Sequence, residues 1–510
     1  MENEAVRSKK LIKNASWATA GYLAYAIAGF VSRSIFVNQL GDVITGVATL
    51  FTSVMSLISM AELGFSSAIS IHLYKPVAEG DKERICALLN LYRRAYKIVA
   101  LFVLGLGLCL TPLIHLFVKT DQVVPQLRWY FLLYVTKSVV SYCYAYKSVL
   151  MTVNQESYHS SVISNTVLVA VTVLQAAALH FTANYTLYLV IGILGILVTN
   201  IWVSAKADRL YPFMKEYPDA TVSEEEKRSV FSFIKATAID RISGTLKTTT
   251  DNLIVSGVVN VAITGIVGNY NMILTTVNTF LTLFFHNLAP AVGNMVATTD
   301  KESQYRTFRD LEFITFWVYG FLATGMLCTL TPFVRDIWIR NSDMLLPQRT
   351  IVLLVLSFFL SGTTWPASTF FAVKGLIRKM PFLNMCNVLA NLVLSLFLVA
   401  FFDVDGVYMG TIISFAVTYL PIVYYYVLRY HFDGRFAPCI KIYCYYFLVC
   451  ILGAVTCCVL CGLITRTGIF GVLCRIVICT LIFNGIFLLA SFRSEEFHSI
   501  FTLVKNLVKR

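Results

Sequence analysis

The residues best able to do chemistry are ionisable groups that interrupt long apolar runs. The cations are Arg33, Lys137, Lys235, Arg241, Lys247 and Arg475, and the acids are Glu62, Asp240 and Asp251. A charge at the centre of a membrane helix costs about 2.5–3.5 kcal/mol, so each of these predicts a partner, a wet cavity or a nearby helix end. They cluster most densely between Asp240 and Asp251. At about 100° per residue, Asp240, Arg241, Gly244, Lys247, Thr248 and Asp251 share one broad arc. Ile239, Ile242, Leu246 and Leu253 form the opposing apolar stripe, as in a helix with one wet and one packed side. Lys247 and Asp251 stand four apart, the spacing of a helical ion pair. Arg241, Lys247, Lys137 and Arg33 together predict a cationic lining, suited to an anionic group such as a phosphate or pyrophosphate. Asp251, Glu62 and Asp240 are the candidates for ion coupling. Lys235 and Arg475 lie near the ends of their apolar runs, where long side chains snorkel toward water.

Other chemistries leave little trace. No Walker A pattern is present, so ATP hydrolysis is not expected. Eight of the 13 cysteines crowd toward the C-terminus, from Cys439 to Cys479, inside apolar runs and without histidines at zinc spacing. They predict small hydrophobic packing residues, with no metal and no cofactor. His72, His115, His180 and His286 share no arrangement. Asp403 and Asp405 fall in a tight turn and read as structural. No catalytic constellation emerges, and the chain is not expected to be an enzyme.

Composition says what must position the charged groups. Of the 510 residues, 57% are hydrophobic and only 14% charged, whereas a soluble domain needs roughly 25% charge. Most of the surface must face lipid. The net charge of +13 does not imply nucleic acid, because the basic residues punctuate apolar runs instead of gathering on one polar face. The run from about Ser16 to Val37 is too long for a signal-peptide core and predicts a retained first span. Runs of spanning length predict an all-α integral membrane protein of about fourteen transmembrane helices. Their centres lie near Tyr25, Leu57, Leu106, Val139, Val169, Ile193, Thr245, Thr279, Phe321, Phe359, Ser395, Val417, Leu452 and Ile482. With both termini placed in the cytoplasm, most of the 41 Lys and Arg fall in cytoplasmic connections, as the positive-inside rule requires. The longest connection, about Ala205 to Ser229, reads as a solvated linker.

Three tripeptides recur in order at one nearly constant offset. Ile44-Thr45-Gly46 returns as Ile263-Thr264-Gly265, Asp81-Lys82-Glu83 as Asp300-Lys301-Glu302, and Leu110-Thr111-Pro112 as Leu330-Thr331-Pro332. Six spans separate equivalent points, an even number, so the repeat is parallel about an axis along the membrane normal. This predicts a six-helix bundle over residues 1–215, a second over 216–432, and two added helices with a basic tail over 433–510. Two bundles around a central cleft make alternating access mechanically natural, so a transporter is expected.

The residues also carry a family resemblance over essentially the whole chain. Ser32-Arg33-Ser34-Ile35-Phe36 through Leu40-Gly41 resembles the first span and turn of Wzx-type oligosaccharide flippases, within the MATE-related MOP superfamily. Ala61-Glu62-Leu63-Gly64-Phe65, Leu73-Tyr74-Lys75-Pro76 and Gly80-Asp81-Lys82 do likewise. Thr250-Asp251-Asn252-Leu253-Ile254-Val255 is similar to that family's seventh span, and Val267-Gly268-Asn269-Tyr270 to its eighth. The resemblance implies ion-gradient-coupled export of a polyprenyl-pyrophosphate-linked oligosaccharide across a bacterial cytoplasmic membrane. H+ or Na+ would be the coupling ion, and polysaccharide assembly machinery a partner. It also implies roles for Arg241 and Lys247 as phosphate or acidic-sugar contacts, and for Asp251 or Glu62 in coupling. Three alternatives stand beside it: a cation-coupled multidrug exporter, a lipid-linked cell-wall precursor flippase and a polysaccharide polymerase. The basic bias argues against the exporter, and the absence of a large outer loop against the polymerase.

Overall fold

The computed structural model describes residues 2–62, 64–143, 145–286, 288–373 and 380–508. Leu63 of the second-span motif lies outside them. So do the side chains of 1–20, 22, 61, 145, 236, 248, 286, 503–504 and 506–508, which include the N-terminal basic residues, Thr248 and His286. Among the described residues there are helices and no strands.

Ten helical runs are long and apolar enough to cross a membrane among the described residues, which makes this a multi-pass membrane protein. Two of the ten are broken internally. Gly41 (φ 77, ψ −177) divides the run Leu23–Ile58, and Asp403 (φ 51, ψ −133) divides the run Met380–Tyr430. Those breaks bring ten runs to twelve segments. The segment from Leu127 to Val153 and the polar helix Glu224–Ile254 raise the number to fourteen among the described residues.

The chain separates into two compact units, Met1–Gly265 and Ile266–Arg510. The first contains α1 (Glu2–Ile58), α2 (Phe65–Glu79), α3 (Lys82–Leu110), α4 (Leu127–Tyr142), α5 (Ser148–Val153), α6 (Tyr158–Thr182), α7 (Tyr185–Leu210), α8 (Glu224–Ile254) and the start of α9 (Val261–His286). Its core runs from Val47, Leu50 and Phe51 through Leu88 and Phe131 to Leu150, and it takes in Val230 and Ile234 of α8. The second holds the rest of α9, then α10 (Ala289–Thr298), α11 (Lys301–Pro332), α12 (Gln348–Thr363), α13 (Trp365–Val373), α14 (Met380–Ser414), α15 (Leu420–Tyr430), α16 (Phe436–Gly462), α17 (Gly468–Ser491) and α18 (Glu495–Val508). There, α11 packs against α12, α16, α17 and α18.

The repeated tripeptides do the same local work at both copies. Asp81 caps α3 by accepting from the Arg84 N–H, and Asp300 caps α11 by accepting from Glu302 and Ser303. Each satisfies an orphan donor of a long helix. The hydrogen bond from the Ser303 hydroxyl holds the Asp300 carboxyl below the usual carboxylate range. Each Leu-Thr-Pro copy ends regular α-helix, passing into a 3₁₀ turn at Thr111–Phe117 and a π turn at Phe333–Trp338. In each Ile-Thr-Gly copy the threonine is fully buried and donates to the carbonyl four residues back, Thr45 to Gly41 and Thr264 to Asn260.

The two glycines of those last copies touch. A Cβ on Gly46 would lie 1.8 Å from the Val261 carbonyl oxygen, and one on Gly265 would lie 2.5 Å from the Gly46 nitrogen. Helix backbones approach this closely only where side chains are absent. Gly46→Val is therefore expected to push α1 and α9 apart and destabilise the protein by about 1–3 kcal/mol or more. A thermal unfolding midpoint equal to that of the wild type would contradict this close approach.

Candidate functional site

All seven residues singled out for binding or coupling fall in the first unit, and the fold distributes them over three places. The first lies among α1, α4, α6 and α7. Arg33 donates from Nη2 to the Thr49 hydroxyl at 3.5 Å, and its guanidinium sits over the Phe36 ring at 5.6 Å. That ring meets Tyr185 and Tyr188 edge-on, and the Tyr134 and Tyr185 hydroxyls share a 3.1 Å hydrogen bond. The Gln175 amide donates to the Tyr188 carbonyl at 2.8 Å and stands beside Gly192. The Lys137 ammonium points to the same spot, 3.9 Å from where a Gly192 Cβ would be. Gln175 is nine-tenths buried and Lys137 half-buried. Among the described residues no carboxylate pairs with Lys137.

The second place is a break. After α1 a short 3₁₀ turn, Ser59–Glu62, leads to Gly64, which caps α2 in the left-handed region (φ 84). Glu62 stands at this break and accepts a hydrogen bond from the Tyr96 hydroxyl. The Tyr92 hydroxyl donates onward to Tyr96 at 2.8 Å, and Tyr142 meets Tyr96 edge-on. All three tyrosines are buried. From the other side, Arg241 of α8 donates to the Ser67 hydroxyl at 2.6 Å. Its Nε would be 3.0 Å from a Cβ on Gly64. A glycine is thus required at 64 for two reasons, backbone conformation and the overlying guanidinium.

The third place is further along α8. Lys247 and Asp251 interact electrostatically, as their spacing predicts, and Asn252 donates to the Ser53 hydroxyl at 3.0 Å. Asp240 is exposed. The helix is followed by a π turn, Val255–Val259, held by the connection after α3. Ser256 donates to the Phe117 carbonyl, and Lys119 exchanges backbone hydrogen bonds with Ser256 and Val261.

Helix α8 departs from the simple two-faced expectation. Ile239 of the supposed packed stripe is exposed, whereas Ser243, Thr249 and Thr250 are buried. Their hydroxyls donate to the carbonyls four residues back, Ile239, Thr245 and Leu246. Hydroxyls satisfied inside their own helix pack as small residues, so burial here follows size more than polarity. A polar seam then joins α8 to α1, α2 and α3: Glu226 with Arg84, Ser229 with His72, Arg241 with Ser67, and Asn252 with Ser53.

Two sites were not anticipated from the sequence, both in the second unit. Glu312 of α11, 1% exposed, accepts from the Tyr424 hydroxyl at 2.7 Å, with the Cys439 thiol 3.9 Å away. Nearby, Arg309 forms an ion pair with buried Glu496 of α18, and Asp310 accepts from Ser499 at 2.7 Å. The second unanticipated site is a meeting of cysteines on α11, α16 and α17. Other charges behave as expected for structure. Asp405 accepts from Thr350 and pairs with Arg349, each at 2.5 Å. Arg475 donates to the Ile464 carbonyl at 2.9 Å and the Gly471 carbonyl at 3.3 Å, closing the loop between α16 and α17.

No protein-family model matches the sequence, and no curated protein does. Solved structures do match. One is the lipid II flippase MurJ in an inward closed conformation, at 15% identity and TM-score 0.61, over 92% of this chain and 99% of that one. An inward-facing multidrug resistance MATE transporter of the MOP superfamily matches at 13% identity and TM-score 0.56, over 84% and 98%. The chain shares the fold of these two structures. A third match has that fold too, a MOP superfamily transporter from Pyrococcus furiosus with a binding pocket of reverse polarity. It aligns at 13% identity and TM-score 0.52, over 80% of this chain and 92% of that one.

Proposed function

We propose that this protein is a flippase that moves a polyprenyl-pyrophosphate-linked oligosaccharide across a bacterial cytoplasmic membrane by alternating access. The observation that carries this reading is the Lys137 ammonium, held beside Gln175 and Gly192 with no carboxylate partner among the described residues. A membrane protein retains such a charge where something anionic visits it. Arg33, Arg241 and Lys247 extend the same sign of charge along the first unit. On this reading residues 1–215 and 216–432 are the two rocking bundles, residues 433–510 an addition, and both termini cytoplasmic. Glu62, with its chain of tyrosine hydroxyls, is the foremost coupling group, and Asp251 and Asp240 are secondary. H+ is the coupling ion that a carboxylate–tyrosine chain serves best.

A lipid-linked cell-wall precursor is the second reading, favoured by the MurJ likeness over nearly the whole chain. Both substrates present a pyrophosphate, so the same residues serve either.

The experiment is depletion in the host, followed by extraction of polyprenyl-linked sugars and assay of their sidedness in spheroplasts. Complete oligosaccharide units confined to the inner leaflet are the expected result. Accumulated cell-wall precursor instead selects the second reading. No accumulation together with new sensitivity to cationic drugs overturns both. In the same assay Arg241→Gln with Lys247→Gln is expected to slow flipping by at least about a hundredfold, each lost charged contact being worth about 1.5–3 kcal/mol. Unchanged flipping would remove both residues from the substrate path.

A further inference from the structure

The cysteines were expected to be small packing residues, and several pack that way. Cys450, for example, packs beside Gly320, where an added Cβ would meet its sulfur at 2.7 Å. Near one end of α11 the pattern changes and sulfur meets sulfur. Cys328 of α11, Cys461 of α16 and Cys479 of α17 are buried, and their three Sγ atoms all lie within 4.8 Å of one another. Cys461 and Cys479 are 3.9 Å apart. On the exposed side, the Cys458 Sγ stands 3.7 Å from that of Cys328. Cys457, one helical turn before Cys461, is buried and interacts with Cys479.

The Cys461–Cys479 separation matches the edge of a thiolate coordination shell, and Cys328 lies close enough to complete the face with a small shift. With zinc–sulfur bonds of about 2.3 Å, tetrahedral ligands sit about 3.8 Å apart. A disulfide would need sulfurs about 2.05 Å apart, and all of these cysteines are free thiols. We propose that Cys328, Cys461 and Cys479 form a site for a soft d¹⁰ divalent cation of the zinc class, with a water completing the four-coordinate shell. Binding is coordination without oxidation or reduction. Each thiol gives its proton to solvent as its sulfur–metal bond forms. Three thiolates on a divalent ion leave one negative charge. Arg475, four residues before Cys479 on α17, supplies a nearby positive one, and Cys461 faces its carbonyl at 3.9 Å. The site would pin α16 and α17 to α11, and it is independent of the transport reading.

The test uses full-length protein in detergent, reduced, metal-free and without a polyhistidine tag, titrated with Co²⁺ and then Zn²⁺. The expected result is one Co²⁺ per chain with tetrahedral d–d and thiolate charge-transfer bands. These should be displaced by Zn²⁺, with about three protons released per ion. Cys461→Ser and, separately, Cys479→Ser are expected to weaken binding at least about tenfold, and Cys450→Ser and Cys86→Ser to leave it intact. Size-exclusion profiles and metal-free unfolding midpoints identify any variant that fails to fold, and Cys328→Ser then takes its place. A wild-type protein without these bands overturns the proposal. Bands that survive in folded Cys461→Ser and Cys479→Ser do so too.

Discussion

Arg309→Ala is expected to cost the protein about 3 kcal/mol of stability, because removing the half-buried cation strands the buried carboxylate it pairs with. The stranded group is Glu496, 2% exposed, on the helix α18 that lies against α11. Its surroundings make the loss worse. Arg309 is the cation paired within a group that also holds Asp310 and the buried Glu312. Tyr424 and Ser499 each donate one hydrogen bond to this group. Without the guanidinium, the buried Glu496 and Glu312 lose the cation between them, and the least costly response is for α18 to release and carry Glu496 to water. The measurement is thermal unfolding of detergent-solubilised protein at neutral pH, with protease accessibility of the C-terminal helix as a second readout. A lower midpoint and earlier cleavage of α18 are expected. The paired change Arg309→Met with Glu496→Leu should restore most of the loss, since apolar groups of similar volume carry no desolvation cost. An Arg309→Ala midpoint equal to wild type would mean that the Arg309–Glu496 pair does not hold α18 in place.

Much of this architecture is legible in the sequence for a plain reason: lipid as solvent forces apolar runs of fixed length, and breaks between them announce themselves. Gly41 and Asp403 interrupt helices where the spacing of apolar runs demands a new segment. The repeated tripeptides are equally readable because capping, helix ending and close approach each require particular residues. The polar helix α8 was found from its charges, yet its buried side was misread at Ile239, since self-bonded serine and threonine count as polar in any hydropathy pattern. What stays illegible is where different helices converge. Tyr92 and Tyr96 are four apart and so share a face, but nothing in their spacing aims them at Glu62, which lies beyond a helix break. Glu312 sits early in its helix, where an acid reads as interfacial until Tyr424 and Cys439 are seen to cover it. The cysteine site draws on three helices far apart in sequence. Helical periodicity assigns faces within one helix, and only packing says which faces meet.

Lys137→Met is expected to move stability and transport in opposite directions. The ammonium stands beside the Gln175–Gly192 contact with no carboxylate partner among the described residues, so the folded state bears a desolvation cost that no described ion pair offsets. A methionine of similar length fills the same volume without that cost. Replacing buried charges by apolar groups stabilises by about 1–4 kcal/mol where it helps at all, so the unfolding midpoint should rise. Flipping should fall by about tenfold or more, the worth of one charge-assisted hydrogen bond to a phosphate. Lys137→Arg keeps the charge and is expected to retain part of the activity, with no gain in midpoint. The pair of readouts separates the two meanings of a buried lysine. A binding lysine gives a more stable and less active protein. A structural one gives a less stable protein, whose activity falls only as folded protein is lost. A methionine variant that is more stable and fully active would mean that no substrate group visits Lys137, and the anionic-substrate reading would lose the observation that carries it.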